Sequence, residues 1–319
     1  MRQTMRALRL HERGGPEMLS YEEAPIPPVA IGDALVRVHA ASFTPTELTW
    51  PSTWTDRAGR DRRPVIPAHE VSGVVTALGY GTPGVQIGEA VYGLTDWYRD
   101  GAAAEYVAVE ARNLAPKPTS ASHVEAAAAA LTGLTAWQAL FDHGQLRPGQ
   151  TVLVHGAAGG VGTFAVQLAR AAGAVVVATG RAWARQLATE LGADTFVDVD
   201  QQRFEETVHG VDLVVDLVGG EVLERSWSVL KPGGVLVSTV EEPKDSQTRN
   251  GERRRARGVY FVVEARRAEL VELSRRLDAG ELRSVVGEVL PLSAGRTAFE
   301  AKQRGGSAGK TVLRVANTA

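Results

Sequence analysis

The sequence predicts an α/β protein in which an irregular β-barrel is followed by an open, doubly wound parallel sheet. Residues 151–154 form an apolar strand pattern that runs into the glycine-rich stretch 155–162; a helix pattern and a second apolar strand follow, as in a βαβ unit. Upstream, closely spaced strand patterns alternate with turns, and ten of the 15 prolines precede Pro118. Beyond residue 119, strand and helix patterns alternate, which is typical of a parallel sheet covered on both faces.

Each predicted element has a local reason. Strands of the barrel alternate apolar and polar residues, as Leu35 to Ala40 do. Ser122 and Glu125 have the spacing of a capping box and open an alanine-rich helix, and a second helix over 135–143 ends at Gly144. Strands are predicted at 35–40, 70–78, 89–94, 103–109, 151–156, 175–180, 195–199, 212–218, 234–240, 259–263 and 311–315, and further helices at 160–172, 181–191, 203–208, 221–230 and 265–277.

The composition narrows the class of protein. The chain has 319 residues, enough for about two domains. Its formal net charge of −2 provides no global field to attract nucleic acid or an anionic membrane, and no stretch is apolar for long enough to cross a bilayer. Cysteine is absent, which rules out disulfides and cysteine-ligated metals and is consistent with a cytoplasmic location. The basic stretch 249–257, interleaved with acids, is predicted to be a solvated loop.

The glycine-rich stretch is the clearest candidate for a functional site. Glycines at a strand-to-helix turn allow a sharp turn, a close approach of backbone N–H groups to a pyrophosphate, and tight packing of helix on strand. The start of the following helix favours an anion through its dipole and free N–H groups. The alternative is a glycine-rich turn that binds nothing. The residues predicted to bind a dinucleotide here are Gly156, Ala158, Gly159, Gly160, Val161 and Gly162.

Motifs along the whole chain resemble those of the zinc-independent quinone oxidoreductase branch of the medium-chain dehydrogenase/reductase superfamily. The resemblance implies a GroES-like catalytic domain over 1–121, completed by 282–319, and a Rossmann domain over 122–281 with the cofactor in the cleft. The last strand pattern, residues 311–315, is expected to pair back onto the first domain. The motifs are at 67–75, 103–107, 134–137, 157–162, 191–194, 212–216 and 309–313.

The end of the second Rossmann strand predicts NADPH rather than NADH. NAD-specific domains place an acid there for the ribose hydroxyls, but this chain has no acid before Glu190. Arg181 is placed to bind a 2′-phosphate, with Arg185 one helical turn later, and Thr179 and Gly180 leave room for it. The alternative is that both arginines are solvated. The resemblance implies further cofactor contacts, with core packing as the alternative for Phe261 in particular, at Thr135, Val218, Phe261, Val263 and Lys310.

A catalytic metal is not expected. Zinc alcohol dehydrogenases of the superfamily carry a zinc ligand where this chain has His69, but their cysteine ligand aligns with Thr44, and the stretch 126–131 supplies no third ligand. His69 is therefore predicted to be a partly buried, hydrogen-bonded side chain of the substrate pocket. Whether His69 and Glu70 have a role beyond structure is left open.

A nicotinamide enzyme without a metal is suited to a particular substrate class. A quinone, or a C=C bond conjugated to a carbonyl, accepts hydride and spreads the charge onto oxygen, where hydrogen-bond donors stabilise it. The predicted substrate is therefore a quinone or an α,β-unsaturated carbonyl compound.

The residues that shape the reaction site are less clearly marked. The quinone reductase branch usually has Asn-Pro-x-Asp where this chain has Thr44-Pro-Thr-Glu47. Thr44 and Glu47 are candidates to touch the nicotinamide ribose or the substrate; a self-capping turn is the alternative. The proton donor is open between Tyr98, His69 and water. Aromatic residues of the first domain that would line a flat pocket, or else cover the barrel core, are Trp50, Trp54, Trp97 and Tyr98.

Three other interpretations remain: a zinc-type alcohol dehydrogenase, an NADPH-binding sensor or structural protein with little turnover, and a partner enzyme that serves a larger synthase. A homodimer, formed by pairing edge strands of two Rossmann sheets, is also predicted.

Overall fold

A computed structural model describes residues 3–242 and 256–315. Contacts within the chain divide it into two compact units. Unit 1 contains the described residues up to 131, 265–280 and those from 284 onward, and unit 2 contains 132–264 and 281–283. The segments 122–131 and 265–280, which the sequence assigned to the Rossmann domain, thus pack within unit 1. Most of the basic stretch 249–257 lies outside the described residues.

Unit 1 is built around the long strand β3, which pairs antiparallel with β4, β6 and β15. Apolar side chains of β3, such as Val36 and Val38, are fully buried and belong to one core cluster. With elements numbered in chain order, its strands are β1 (Thr4–Arg9), β2 (Ser20–Pro25), β3 (Asp33–Ser42), β4 (Glu70–Leu78), β5 (Ala90–Leu94), β6 (Tyr106–Glu110), β7 (Leu114–Pro116), β14 (Val286–Pro291) and β15 (Lys310–Arg314), and its helices are α1 (Pro51–Trp54), α7 (Arg267–Asp278) and α8 (Gly295–Arg304).

The last strand pairs back onto the first domain, as predicted. In β15, Val312, Leu313 and Arg314 lie opposite Ser42, Ala41 and Ala40 of β3. This pairing places Lys310 beside residues from the beginning of the chain.

Unit 2 contains a six-stranded parallel sheet in the order β10-β9-β8-β11-β12-β13, which confirms the predicted doubly wound fold. The order reverses at β8, where ligands of such sheets bind at the carboxyl ends of the strands. The strands are β8 (Thr151–Val154), β9 (Val175–Gly180), β10 (Thr195–Asp198), β11 (Val211–Asp216), β12 (Leu230–Ser238) and β13 (Arg257–Tyr260), and the helices are α3 (Gly160–Ala171), α4 (Arg185–Glu190), α5 (Phe204–Thr207) and α6 (Glu221–Ser226).

Helix α2 (His123–Trp137) differs from the sequence prediction of two separate helices. It continues into a wider π-helical segment over Gln138–His143, and Gly144 follows. The alanine run 126–130 is completely buried, so this helix is apolar around most of its circumference rather than on one face.

The edges of the unit 2 sheet are β10 and β13. An edge strand presents unpaired backbone groups, which keeps the predicted homodimer a prediction that an oligomeric-state measurement would test. In the described parts of the chain, no helix combines the length and the apolar character that crossing a membrane requires.

Candidate cofactor and substrate sites

The glycine turn of unit 2 has the backbone geometry that a dinucleotide site requires. Gly156 has φ +68°, a left-handed conformation that favours glycine. A Cβ atom on Gly162 would lie 2.3 Å from the Gly156 carbonyl oxygen, so only glycine allows α3 to start this close to the turn. Gly159 precedes α3 and has no side chain to cap it, which leaves amides of the first helical turn for an anionic ligand. Ala158 is buried beside them.

His155 supports this turn, which the sequence did not reveal. The ring is fully buried, with Nδ1 2.9 Å from Thr179 Oγ1 and Nε2 3.0 Å from Ser226 Oγ. The Ser226 hydroxyl donates to the Val222 carbonyl, so it accepts from His155, and Nε2 carries the proton. Thr179 was expected to leave room for a phosphate; its hydroxyl is bound to His155, and the expectation stays a prediction. A histidine directly before the glycines was the only available signal.

The two arginines after β9 have different surroundings. Arg181 is 68% exposed, and its nearest carboxylate is Asp200 at 4.0 Å. Arg185 instead lies over the Phe196 ring at 4.9 Å and donates to the Phe196 carbonyl. At Gly180, which ends β9, an added Cβ atom would lie 3.2 Å from the Cβ atom of Ala184, so a larger residue would be crowded there. Both arginines are exposed, but the Arg185 guanidinium packs on Phe196, so the Arg181 guanidinium is the less engaged of the two.

The buried carboxyl of Asp216 orders the loop after β11. Asp216 accepts hydrogen bonds from the backbone amides of Val218 and Gly219 and from the Ser238 hydroxyl, all at 3.1 Å. Burial raises its pKa. The loop it holds presents the half-exposed Val218, one of the predicted cofactor contacts.

The remaining predicted contacts of unit 2 are mostly buried. Phe261 packs on the His143 ring at a centroid distance of 4.4 Å, so the core-packing alternative describes its ring. Val263 and Thr135 are also buried. None of these positions has a contact that assigns it to a ligand by itself.

In unit 1, Thr44 and Glu47 form the self-capping turn that was the alternative for this stretch. The Glu47 amide donates to the Thr44 carbonyl, and the Thr44 amide donates to Glu47 Oε2 at 3.3 Å. Oε1 accepts the Ala68 amide at 2.6 Å. The Glu47 carboxyl is buried, and desolvation raises its pKa to about 8.

The backbone before His69 is held in a strained conformation. Ala68 has φ +70°, which a residue with a Cβ rarely adopts. Its amide is bound to Glu47, and its carbonyl accepts the Ala102 amide at 2.5 Å. A Cβ on Gly101 would lie 2.3 Å from the Pro67 carbonyl oxygen, so this segment is closely packed on both sides. Ala68, the strained residue of this segment, directly precedes His69.

The rings of His69 and two tryptophans lie in contact with one another. The His69 ring lies 5.1 Å from that of Trp97, which lies 5.4 Å from that of Trp50. His69 Nδ1 is 2.6 Å from Thr95 Oγ1. Burial lowers the His69 pKa to about 3, so His69 is neutral and carries no acidic proton at neutral pH.

Of the other two aromatic residues, Trp54 takes the position that was its alternative. Trp54 is buried in the barrel core with its Nε1 donating to the Leu48 carbonyl, so it covers the core and does not line an open pocket. Tyr98 is partly exposed and lies 4.7 Å below the Arg57 guanidinium, which is itself paired with Asp96. Its ring therefore stabilises a cation, and no contact singles out its hydroxyl as a proton donor.

Lys310, predicted to contact the cofactor, has its polar partners inside unit 1. Its Nζ lies 2.5 Å from Glu70 Oε1 and donates to the Phe43 carbonyl at 2.6 Å. Both side chains are buried, so the ammonium group is engaged within unit 1, and the cofactor contact of this residue stays a prediction. Glu70, whose role was left open, is the counterion.

The residues around His69 do not fit a catalytic zinc. Zinc in such sites takes three side-chain ligands of histidine, cysteine or carboxylate type. Thr44 offers a hydroxyl where a thiolate is needed, and Glu70 is bound to Lys310. Among residues 3–242 and 256–315, no three histidine, aspartate or glutamate side chains are arranged to hold a metal ion.

Four histidines with lowered pKa values predict acid sensitivity, and burial lowers the pKa of His39 as the first of them. Burial lowers the pKa of His69 to about 3, of His155 to about 3 and of His123 to about 4. An unfolded histidine takes up a proton near pH 6.5, so below that pH the unfolded state binds more protons. Stability is therefore lost as pH falls from about 6.5 towards these values, by about 1.4 kcal/mol per pH unit for each of the buried His69 and His155 and by less for the partly buried His123.

Urea unfolding at a series of pH values would measure this loss. We expect His155→Asn to be less stable than the wild type but to show a shallower decline in the free energy of unfolding between pH 6 and 4. The exposed His209→Asn variant is the control. Equal slopes for wild type and His155→Asn would contradict the prediction.

Two parts of the chain match known protein families. Residues 30–119 match the family described as the alcohol dehydrogenase GroES-like domain, and residues 191–313 match that described as zinc-binding dehydrogenase. A 2-methylene-furan-3-one reductase of Solanum lycopersicum is 30% identical over 97% of this chain and 79% of its own. A mitochondrial NAD(P)H oxidoreductase of Mus musculus is 29% identical over 89% of this chain and 82% of its own.

The similarity extends to solved structures. The quinone oxidoreductase from Coxiella burnetii superposes with a TM-score of 0.90 and 29% identity, covering 98% of this chain and 100% of its own. One of the relatives named above is mitochondrial, so the predicted cytoplasmic location stays a prediction.

Proposed function

The chain belongs to the medium-chain dehydrogenase/reductase superfamily and is an oxidoreductase that uses a nicotinamide cofactor, and we propose that it transfers hydride from NADPH to a quinone or to the C=C bond of an α,β-unsaturated carbonyl compound, without zinc. The observation that carries the proposal is the set of groups around His69. They comprise aromatic rings, a neutral histidine and a buried carboxyl, but not a set of zinc ligands.

The residues of unit 2 are suited to hold the cofactor. The Gly156–Gly162 turn is suited to a pyrophosphate, because glycines without side chains allow the phosphates to come close to the backbone amides. We assign Arg181 to the 2′-phosphate, because it is exposed and no acid occupies the end of β9. When bound there, the nicotinamide supplies a hydride.

The residues of unit 1 are suited to hold a flat, conjugated acceptor. Trp50 and Trp97 meet edge to face, and aromatic surfaces of this kind bind planar rings. Conjugation spreads the negative charge produced by reduction onto the substrate oxygen, where hydrogen-bond donors stabilise it without a Lewis acid. A simple ketone lacks this conjugation and is expected to be a poor substrate.

Turnover with a panel of substrates tests the proposal. NADPH oxidation would be followed with quinones, enones, aldehydes and saturated ketones, using metal-free protein with and without added Zn²⁺. The proposal requires quinone or enone reduction that is independent of zinc. Zinc-dependent ketone or alcohol turnover would favour an alcohol dehydrogenase. Tight NADPH binding with no turnover of any compound would favour a sensor or a component of a larger synthase.

The Arg181→Ala variant is predicted to lose preference for NADPH. A charge-assisted hydrogen bond contributes about 1.5–3 kcal/mol, so the KM for NADPH should rise about 10- to 100-fold while that for NADH stays the same. Steady-state kinetics with both cofactors would measure this. Arg185→Ala is the matched control, because it removes the same charge from a guanidinium that packs on Phe196. A similar rise in both cofactors' KM for Arg181→Ala would contradict the assignment.

A further inference from the structure

Three ionisable side chains are buried close together in unit 1: Glu47, Glu70 and Lys310, each 5% exposed or less. They come from distant parts of the chain and meet because β15 pairs with β3. With both carboxyls ionised, the cluster would carry a net negative charge out of contact with water. Burying an uncompensated charge is costly, so one carboxyl is expected to hold a proton.

A single peptide group connects the members of this cluster. Lys310 Nζ donates to the carbonyl of Phe43, and the amide of the same peptide group, on Thr44, donates to Glu47 Oε2. Lys310 also contacts Glu70 Oε1 at 2.5 Å. Burial raises the pKa of Glu70 as well, but Lys310 lowers it by direct contact. The ammonium is bound directly to Glu70 and only through a peptide to Glu47, so Glu70 is the ionised carboxyl.

The hydrogen bonds of Glu47 locate its proton. Oε1 accepts the Ala68 amide at a short 2.6 Å, whereas the Thr44 amide is 3.3 Å from Oε2. The weaker acceptor, Oε2, is the atom with room for a proton. Glu47 is itself buried, whereas Thr44, whose amide contacts Oε2, is partly buried, so a water molecule can approach the carboxyl by way of Thr44.

The charged groups that act on Glu47 oppose one another. Lys310 favours its ionised form, and Glu70 disfavours it. Desolvation is the largest effect and raises the pKa of Glu47 to about 8, in agreement with the charge count. His69 is neutral and cannot serve instead as the store of a proton.

We propose that Glu47 is the proton reservoir of this oxidoreductase, protonated in the resting protein and discharged through a water at Thr44 during reduction. This inference rests on the proposed function. With an enone, the hydride would leave a C–H bond of the reduced nicotinamide, which is oxidised by two electrons, and would form the new C–H bond of the substrate; with a quinone, the same two electrons give a hydroquinone anion. In both cases the O–H bond of the Glu47 carboxyl breaks with its electrons left on the carboxylate, and the proton passes by way of the water to the substrate anion. A solvent proton then restores the acid.

Infrared spectroscopy of the full-length protein without substrate tests where the proton is. The wild type should show the C=O stretch of a protonated buried carboxyl at pH 7, which is lost as pH rises through about 8. Glu47→Gln should lack this component, and Asp61→Asn, which alters an exposed carboxyl paired with Arg63, should retain it. A Glu47→Gln spectrum with the same carboxyl band as the wild type would overturn the proposal.

The pH dependence of kcat tests what the proton does. Proton donation needs the acid form, so kcat of the wild type should fall as pH rises through about 8. Glu47→Gln should lose about 100-fold in kcat and lack this limb, with little change in the KM for NADPH, and Glu47→Asp should recover part of the rate. A Glu47→Gln enzyme with the wild-type rate and the same limb would overturn the role. Failure of the wild type to reduce quinones or enones would instead overturn the proposed function, while the infrared titration still reports separately on Glu47.

Discussion

Replacing Gly162 with alanine is expected to abolish cofactor binding. The added Cβ would lie 2.3 Å from the Gly156 carbonyl oxygen and 2.7 Å from the Ala157 Cα atom, and both are backbone atoms that cannot rotate aside. Helix α3 must then move away from the glycine turn, and its first amides no longer face the pyrophosphate. We expect the dissociation constant for NADPH, measured by fluorescence titration, to rise at least about 100-fold, which corresponds to about 3 kcal/mol.

Gly280, a glycine that a Cβ atom would not bring into contact with any neighbour, provides the control. Gly280 follows α7 with φ +70°, and a Cβ there would meet nothing within 4 Å. Gly280→Ala should cost about 1 kcal/mol in stability through its left-handed backbone and leave NADPH binding intact. If Gly162→Ala bound NADPH as tightly as Gly280→Ala, the glycine turn would not be the pyrophosphate site.

Lys310→Met is expected to cause the largest loss of stability. It removes the ammonium that compensates Glu70, and breaking a buried ion pair by deleting one partner costs about 3–5 kcal/mol. Urea unfolding would measure the difference. Most of this loss comes from leaving the Glu70 carboxylate buried without a counterion. The double variant Lys310→Met with Glu70→Leu should therefore recover much of the lost free energy of unfolding.

A surface ion pair gives the comparison. Lys231 pairs with Asp212 at 2.8 Å, but its side chain is half exposed. Lys231→Met should cost less than about 1 kcal/mol, because exposed pairs contribute little. Equal effects of the two lysine substitutions would show that the Lys310–Glu70 pair is solvated in solution.

The fold was largely predictable because its signals are local. Apolar runs between glycine-marked turns correctly located the strands of the parallel sheet, and β9 agrees with the prediction at both ends. Predictions failed where a neighbour far along the chain decides the environment. The sequence predicted two helices where the structure has one continuous helical segment. The buried alanine run has no polar face, so the sequence lacks the helical period that would reveal the continuation.

Predictions for individual side chains likewise depended on whether the deciding contact is local or distant in the chain. The self-capping turn at Thr44 and Glu47 involves residues three apart, and it was among the alternatives drawn from the sequence. Trp54 was assigned to a pocket wall because its residue type suits both a pocket and a core, and only packing distinguishes the two. His155 was missed because its partner Ser226 is 71 residues away.

The sequence by itself determined the βαβ order, the glycine turn that begins α3 and the absence of an acid beside Arg181, since periodicity, backbone freedom and residue charge are properties of short segments. The tertiary structure alone decided that Lys310 binds Glu70 across 240 residues and that Glu47 lies in the same buried cluster. The physical reason is that burial and charge compensation depend on which distant strands pair. The chemistry of the acid at Glu47 follows from the pairing of β15 with β3.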